Sequence, residues 1–420
     1  MSADGIAARR SAAYLLDRIT GDGKLMSDLI AGGALERLSP PDRARAQRLA
    51  TDVLRNMDRV DRLMTDHVQK TPPLPIHNLL RIGALELAQG AAAHGVVNDL
   101  VSIASRSKRH GRLKGLVNAV LRKLADHAAQ DWLTLPTPRI PDWLRAPLLA
   151  AWGRDTVRAM EEAHAAGAPL DLSARGDAAE LAKQLGGTLL PTGTVRLTDP
   201  GQVSGLPGYT EGAWWVQDAA AAIPARLVDG HKVLDLCAAP GGKTMQLAAA
   251  GKDVTAVDLS DKRLERVREN LSRTGLTAEL LQSDALEVSG QWDAVLLDAP
   301  CSATGTLRRH PDLPFAKDGS EFFGLIDLQA RMIDHAVTLL RPGGQLVFCT
   351  CSLLPDEGEV QIEEALERHP DLQIDTAALE QPWIESEWRS TEGGLRLRPD
   401  FWAEQGGMDG FYIAPLRKHA

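Results

Sequence analysis

The sequence predicts a multidomain chain: an all-α N-terminal domain, a small α/β middle domain and a C-terminal α/β domain built on a doubly wound parallel sheet. Three observations carry this expectation. Apolar residues recur at three- and four-residue spacing over residues 1–130. Residues 226–420 instead alternate short apolar runs with helical stretches. Between the two lies a proline-rich patch and a mixed segment, and 420 residues suffice for several separate cores.

The elements follow in order. "SAAYLLDRI", "RARAQRLATDVLRNMDRVDRLMTDHV" and "LPIHNLLRIGALELAQ" read as amphipathic helices, separated by the helix stops "SPPD" and "TPPLP". "LTLPTPRIPDW" marks a linker over residues 131–145, with the short helix "WLRAPLLAAWG" behind it. Residues 146–225 combine the helical "DAAELAKQL" with short apolar runs and read as a small α/β subdomain. From residue 226, "KVLDLCA", "DVTAVDLS", "AELLQSDA", "WDAVLLDAP" and "GQLVFCTCS" read as strands. "KTMQLAAA", "DKRLERVRENLSRTG" and "FFGLIDLQARMIDHAVTLL" are the helices between most of them. The tail "LRLRPDFWAEQGGMDGFYIAPLRK" is expected to add two strands that close an edge of the sheet.

Composition narrows the function classes. Apolar content of 44% and charge of 25% are ordinary for a globular chain, and no run of about 18 apolar residues predicts a membrane span. The opening "MSADGIAARRSAAYLLDRIT" reads as a first helix rather than a leader, because Asp17 interrupts its apolar stretch. The four cysteines, Cys237, Cys301, Cys349 and Cys351, all lie in the C-terminal half and suit a reducing cytoplasm. A net charge of −9 argues mildly against nucleic acid, but residues 106–123 carry seven Lys or Arg and no acid. Arg106, Lys108, Arg109, Arg112, Lys114 and Arg122 are therefore the candidate contacts to a polyanion, RNA.

In doubly wound sheets ligands bind beyond the carboxyl ends of the strands. The loop after the first strand is "DLCAAPGGKT". A P-loop would need glycine at position 237, where Cys237 stands, and the dinucleotide fingerprint is missing. What remains, Cys237, Ala238, Ala239, Pro240, Gly241, Gly242 and Lys243, is a small-residue turn opening a helix, able to let a ligand approach closely. Asp258 closes the second strand, where a carboxylate accepts ribose hydroxyls. Asp284 ends the third, in "QSDA", placed for an adenine amino group, and Asp298 ends the fourth. Three acids around a glycine loop suit a cationic nucleoside, S-adenosylmethionine, better than a pyrophosphate.

Cys301 follows the fourth strand and Cys351 ends the fifth, so neighbouring strands would bring both thiols to one crevice. Cys349, one step deeper in an apolar strand, is expected to pack in the core. No C-x2-C pair or finger-spaced histidine is present, and no metal is expected. A thiolate beside a methyl donor has a specific use. Carbon 5 of cytosine becomes nucleophilic once a thiolate adds to carbon 6, and Asp298 is placed for the N3 contact that relieves the resulting charge.

"LDLCAAPGGKT", "DAPCSATGTLRRHPD" and "CTCSLLPDEGE" closely resemble the RNA cytosine-C5 methyltransferases of the Nop2/Sun family. The helical N-terminus with "GLVNAVLRK" is similar to the NusB-like RNA-binding domain of that family's bacterial RsmB branch. The resemblance implies a Rossmann-like class I methyltransferase domain, a small α/β RNA-docking subdomain and 16S ribosomal RNA as substrate. Transfer RNA is the runner-up. It also implies that Cys351 attacks, that Cys301 helps release the product, and that the loop from Cys237 to Lys243, with Asp258, Asp284 and Asp298, binds S-adenosylmethionine. The chain departs from the pattern at Cys349, where the branch has an aromatic residue or alanine. A non-catalytic ribosome-assembly factor is the competing class, opposed by the intact "APGGK" loop, Asp298 and both thiols. A monomer is expected, and the sequence points to no protein partner.

Overall fold

The computed structural model describes residues 3–420 and divides the chain into two compact units. One is Met1–Gly167 with Leu307–Asp318; the other is Ala168–Thr306 with Gly319–Ala420.

The first unit is helical. In Ala3–Asp22 the residues Ala8, Ala12, Leu15, Leu16 and Ile19 are fully buried, one stripe at helical period. Pro40–Arg55 starts at Ser39, whose hydroxyl accepts the Asp42 N–H at 3.4 Å. Leu74–Ala88 is buried on nearly every side, and its Gly83 permits close contact: a Cβ there would lie 2.5 Å from Leu121 Cδ2. The guanidinium of buried Arg9 donates to both oxygens of Glu86 at 2.6 and 2.8 Å. The stretch visible in the sequence as a short helix is longer than expected: Asp142–Ala166 runs on, broken at Gly153 with φ 77°. Leu307–Asp318, although it follows the large sheet's fourth strand in the chain, belongs to this unit. Asp312 accepts the Met26 N–H at 2.7 Å, and the Pro314 carbonyl accepts from the Trp143 indole at 2.9 Å.

The second unit holds two sheets. The smaller, of β1 (Leu170–Ala174), β2 (Thr188–Leu189), β3 (Val195–Leu197) and β4 (Trp214–Val216), is antiparallel in the order β2-β3-β1-β4. Its core gathers on Trp214, Leu172 and Val195. The helix Ala178–Leu185 is capped by Asp177, which accepts the Ala179 N–H at 2.8 Å.

The larger sheet contains β5 (Lys232–Leu236), β6 (Asp253–Asp258), β7 (Glu279–Gln282), β8 (Trp292–Asp298), β9 (Leu340–Thr350), β10 (Leu372–Ile374), β11 (Leu395–Leu397) and β12 (Phe411–Lys418). The order is β10-β12-β9-β8-β5-β6-β7, with β11 on β12. Strands β5 to β9 are mutually parallel, as expected. Their inner residues are buried on both faces: Val233 and Leu234 on β5, Ala294 to Leu297 on β8, Leu346 to Phe348 on β9. The chain order reverses around β5, which makes a crevice at the carboxyl ends of β5, β6 and β8.

The tail corrects one expectation. The tail does add two strands, β11 and β12, but β12 is internal: it lies antiparallel to β9 on one side and to β10 and β11 on the other, and those two short strands form the edge. The alternation of β12 was legible, but its neighbours depend on where the chain returns. No helix among the described residues is long and apolar enough to cross a membrane.

Candidate active site

β5 delivers the small-residue loop to the crevice. Cys237 takes φ 63°, and the Ala238 N–H donates to the Val257 carbonyl at 2.9 Å, tying the loop to β6. Gly241, at φ 99°, has no room for a side chain: a Cβ would meet Val267 Cγ1 at 3.0 Å. Gly242 then opens the helix Gly242–Ala249. Beneath it, the Thr244 hydroxyl donates to buried Asp235 at 2.6 Å, while the other Asp235 oxygen has no partner. Burial raises this carboxyl to about 7, with Asp298 and Asp258 adding to the shift and the Thr244 bond opposing it.

The three acids read from the sequence occupy different surroundings. Asp258, 2% exposed, accepts the N–H groups of Ala239 at 3.2 Å and Ser260 at 3.0 Å. Arg263 stands 3.4 Å from the same carboxylate and donates to the Ala239 carbonyl at 2.9 Å. Asp258 thereby anchors the loop as well as ending β6. Asp284 lies two residues beyond β7 and caps the turn Ala285–Glu287, accepting the Leu286 N–H at 2.9 Å on one oxygen. Asp298 ends β8 with one oxygen 2.7 Å from the Lys243 ammonium and the other 3.4 Å from the Cys349 thiol, which donates to it. Burial opposes the Lys243 charge, but Asp298, with Cys349 and Asp235 adding to it, holds the ammonium's pKa above its usual value.

These residues fit a cationic nucleoside cofactor. Glycine backbone lines the turn, Asp298 pairs with Lys243, Asp258 lies 3.4 Å from Arg263 and Asp235 is buried beneath the helix, so three acids stand against two cations and a sulfonium would help to balance them.

The thiols meet on the adjoining strand. β8 and β9 are neighbours, with Asp298 opposite Cys349. Cys301 and Cys351, fifty residues apart in the chain, bring their sulfurs to 3.5 Å. Contact with Cys351 and then burial raise the Cys301 thiol well above its usual pKa. Cys349 is fully buried in the core, but packing is not its only contact, since its thiol touches Asp298. The Gly305 N–H donates to the Cys351 carbonyl at 2.9 Å, and a Cβ on Gly305 would lie 1.9 Å from the Gly410 oxygen. The two loops are therefore held at backbone contact distance.

Sequence reasoning missed the groups that fix those loops. Glu357, in the quoted "CTCSLLPDEGE", accepts the Ser302 N–H at 2.9 Å, the Ser302 hydroxyl, and the Gln329 amide at 3.1 Å. Ser302, Thr304 and Ser352 share hydroxyl bonds of 3.2 Å. An acid so near a nucleophile motif was the available signal. The ion pair between Lys243 and Asp298 had no signal, because 55 residues separate them.

The basic candidates lie in the helical unit. Arg106 caps Ala93–Ser105, Lys108 and Arg109 follow in a turn, Arg112 lies in Gly111–Leu113, and Lys114 and Arg122 lie on Lys114–Leu124. All six are exposed, and none has a carboxylate partner among the described residues. Arg122 donates to Asn118 at 3.0 Å.

Comparison with known proteins agrees with this architecture. Residues 223–417 match the model for 16S rRNA methyltransferase RsmB/F, and residues 6–126 match the NusB family. Ribosomal RNA small subunit methyltransferase B of Pseudomonas putida is 35% identical, with 99% of this chain and 98% of that protein covered. Its counterpart in Vibrio cholerae is 32% identical over 98% of this chain and 97% of its own length. Among solved structures, a methyltransferase homolog from Pyrococcus horikoshii aligns with TM-score 0.55 and 27% identity, covering 66% of this chain and 94% of that one. On these matches, which run the length of both of its units, the chain belongs to the RsmB/F family of 16S rRNA methyltransferases.

Proposed function

We propose that this RNA methyltransferase modifies carbon 5 of a cytosine in 16S ribosomal RNA through a covalent intermediate on Cys351. The observation that carries the reading is the pair of thiols 3.5 Å apart beside the Asp298–Lys243 pair. A methyl donor acting on an already nucleophilic atom would need neither thiol. S-adenosylmethionine, held by the loop from Cys237 to Lys243 with Asp258, Asp284 and Asp298, supplies an electrophilic methyl group. Cys351 adds to carbon 6, and the electron pair displaced toward N3 is met there by a proton that Asp298 relays from the Lys243 ammonium 2.7 Å away. Cys301 then assists release. The target base must leave its stack, which favours a loop or other single-stranded segment.

The test is a methyl-transfer assay on small-subunit ribosomal RNA, followed by digestion to nucleosides and mass analysis. We expect 5-methylcytidine as the product. A methylated nucleoside other than 5-methylcytidine overturns the chemistry, and modification of transfer RNA alone overturns the substrate.

The exposed cations of residues 106–123 are proposed as an RNA-docking surface, on the strength of their unbalanced charge. Reversing Arg109, Arg112 and Lys114 to Glu should weaken RNA binding by at least roughly tenfold at low salt and flatten its salt dependence. Filter binding from low to high salt reads both quantities. An unchanged slope removes the surface from the interface.

A further inference from the structure

We propose that Glu357 is the positioning residue for Cys301, holding the loop that carries the second thiol against the strand end that carries the first. The inference rests on the two-thiol reading above. Glu357 is wholly buried, and no Lys, Arg or His stands within ion-pair distance of it among the described residues. A buried carboxylate without a cation is costly unless hydrogen bonds surround it. Here they converge from one place. The Ser302 N–H donates at 2.9 Å and the Ser302 hydroxyl donates to the other oxygen. The Gln329 amide donates at 3.1 Å and at the same time to the Pro300 carbonyl at 2.8 Å. Residues 300 and 302, on either side of Cys301, are thus both tied to this acid. Its own carbonyl accepts the Thr350 hydroxyl at 2.7 Å, one residue before Cys351.

An ordinary structural acid would suit this place less well. A helix follows at Glu359–Arg368, but the Glu357 side chain turns away from its amides toward Ser302. Cys301 is the residue between its two anchors, and the thiol contact of 3.5 Å is what they preserve. In the release step the carbon 5–hydrogen bond breaks and its electron pair forms the ring double bond. The carbon 6–sulfur bond breaks in turn, and the departing Cys351 sulfur takes the proton of the Cys301 thiol 3.5 Å away as Cys301 takes the proton from carbon 5. A Cys301 displaced by about an ångström would miss that proton while leaving attack by Cys351 intact.

Glu357→Gln tests this, because the amide keeps the shape and one acceptor but loses the charge. Wild type, Cys301→Ala and Glu357→Gln are incubated with ribosomal RNA and S-adenosylmethionine, then run on denaturing gels. Glu357→Gln should accumulate a protein–RNA band at least roughly tenfold above wild type, with first-turnover methyl transfer within about threefold. A general loosening of the site would lower attack and release together and give no band. A band with Cys301→Ala but none with folded Glu357→Gln overturns the role of Glu357. No band with Cys301→Ala overturns the release assignment itself, and the Glu357 role with it. If Glu357→Gln does not fold, Ser302→Ala, which removes only the hydroxyl link, carries the same two outcomes.

Discussion

Replacing Cys351 by alanine should abolish methyl transfer, lowering the rate by at least about 10³-fold, and should leave no covalent protein–RNA species. A thousandfold loss corresponds to about 4 kcal/mol of transition-state stabilisation. That is a natural size for removing a covalent route, since carbon 5 of cytosine is a poor nucleophile without addition at carbon 6. Cys301→Ala should behave in the opposite way, trapping an adduct that survives denaturing electrophoresis. The geometry alone is nearly symmetric between the two thiols, which lie 3.5 Å apart at the ends of adjacent strands. Their surroundings are not. Cys301 is held well above its usual pKa by the Cys351 contact and by burial, so it stays protonated where an attacking group must be a thiolate. A band from Cys351→Ala in place of Cys301→Ala would exchange the roles.

Asp298→Asn should be the other severe change, with methylation slowed by about 10³-fold while the protein remains folded. Two effects combine. The carboxylate proposed to meet the ring at N3 is gone, and the Lys243 ammonium loses the partner 2.7 Å away. Because the Lys243 side chain is only 9% exposed, leaving its charge uncompensated should cost about 2 kcal/mol of stability, a few degrees in Tm. The sign of the pH dependence follows. Lys243 has a raised folded pKa, so its contribution is fully present below the unfolded lysine value and disappears only as pH rises through the folded one. Wild-type stability should therefore show no loss from this pair between pH 6 and about 9. Calorimetry across that range, with single-turnover rates for both proteins, tests the assignment. A variant with wild-type rate would remove Asp298 from the chemistry.

Much of the architecture was readable because it is local. The buried stripe of Ala8, Ala12, Leu15, Leu16 and Ile19 is written at helical spacing, and β5, β6, β8 and β9 are apolar runs bounded by turn residues. The small-residue turn was equally plain, because paired glycines ahead of a helix mark one, and Gly241 takes φ 99° there. β10 was not seen. Three residues, Leu372–Ile374, leave no period to detect, and only pairing with β12 makes them a strand.

The sequence by itself determined which chemical groups this protein has and the order in which strands carry them: a glycine turn, three acids and two thiols at or near strand ends. Only the tertiary structure decided which of them touch. It set Lys243 against Asp298 across 55 residues, closed Cys301 on Cys351 across 50, and brought Glu357 to Ser302 across 55. It also gave Cys349 a bond to Asp298 and placed Leu307–Asp318 among the helices. The physical reason is range. Burial period and turn preference depend on residues within a few positions, whereas contact between distant side chains depends on strand order, and that is settled only when the whole sheet has assembled.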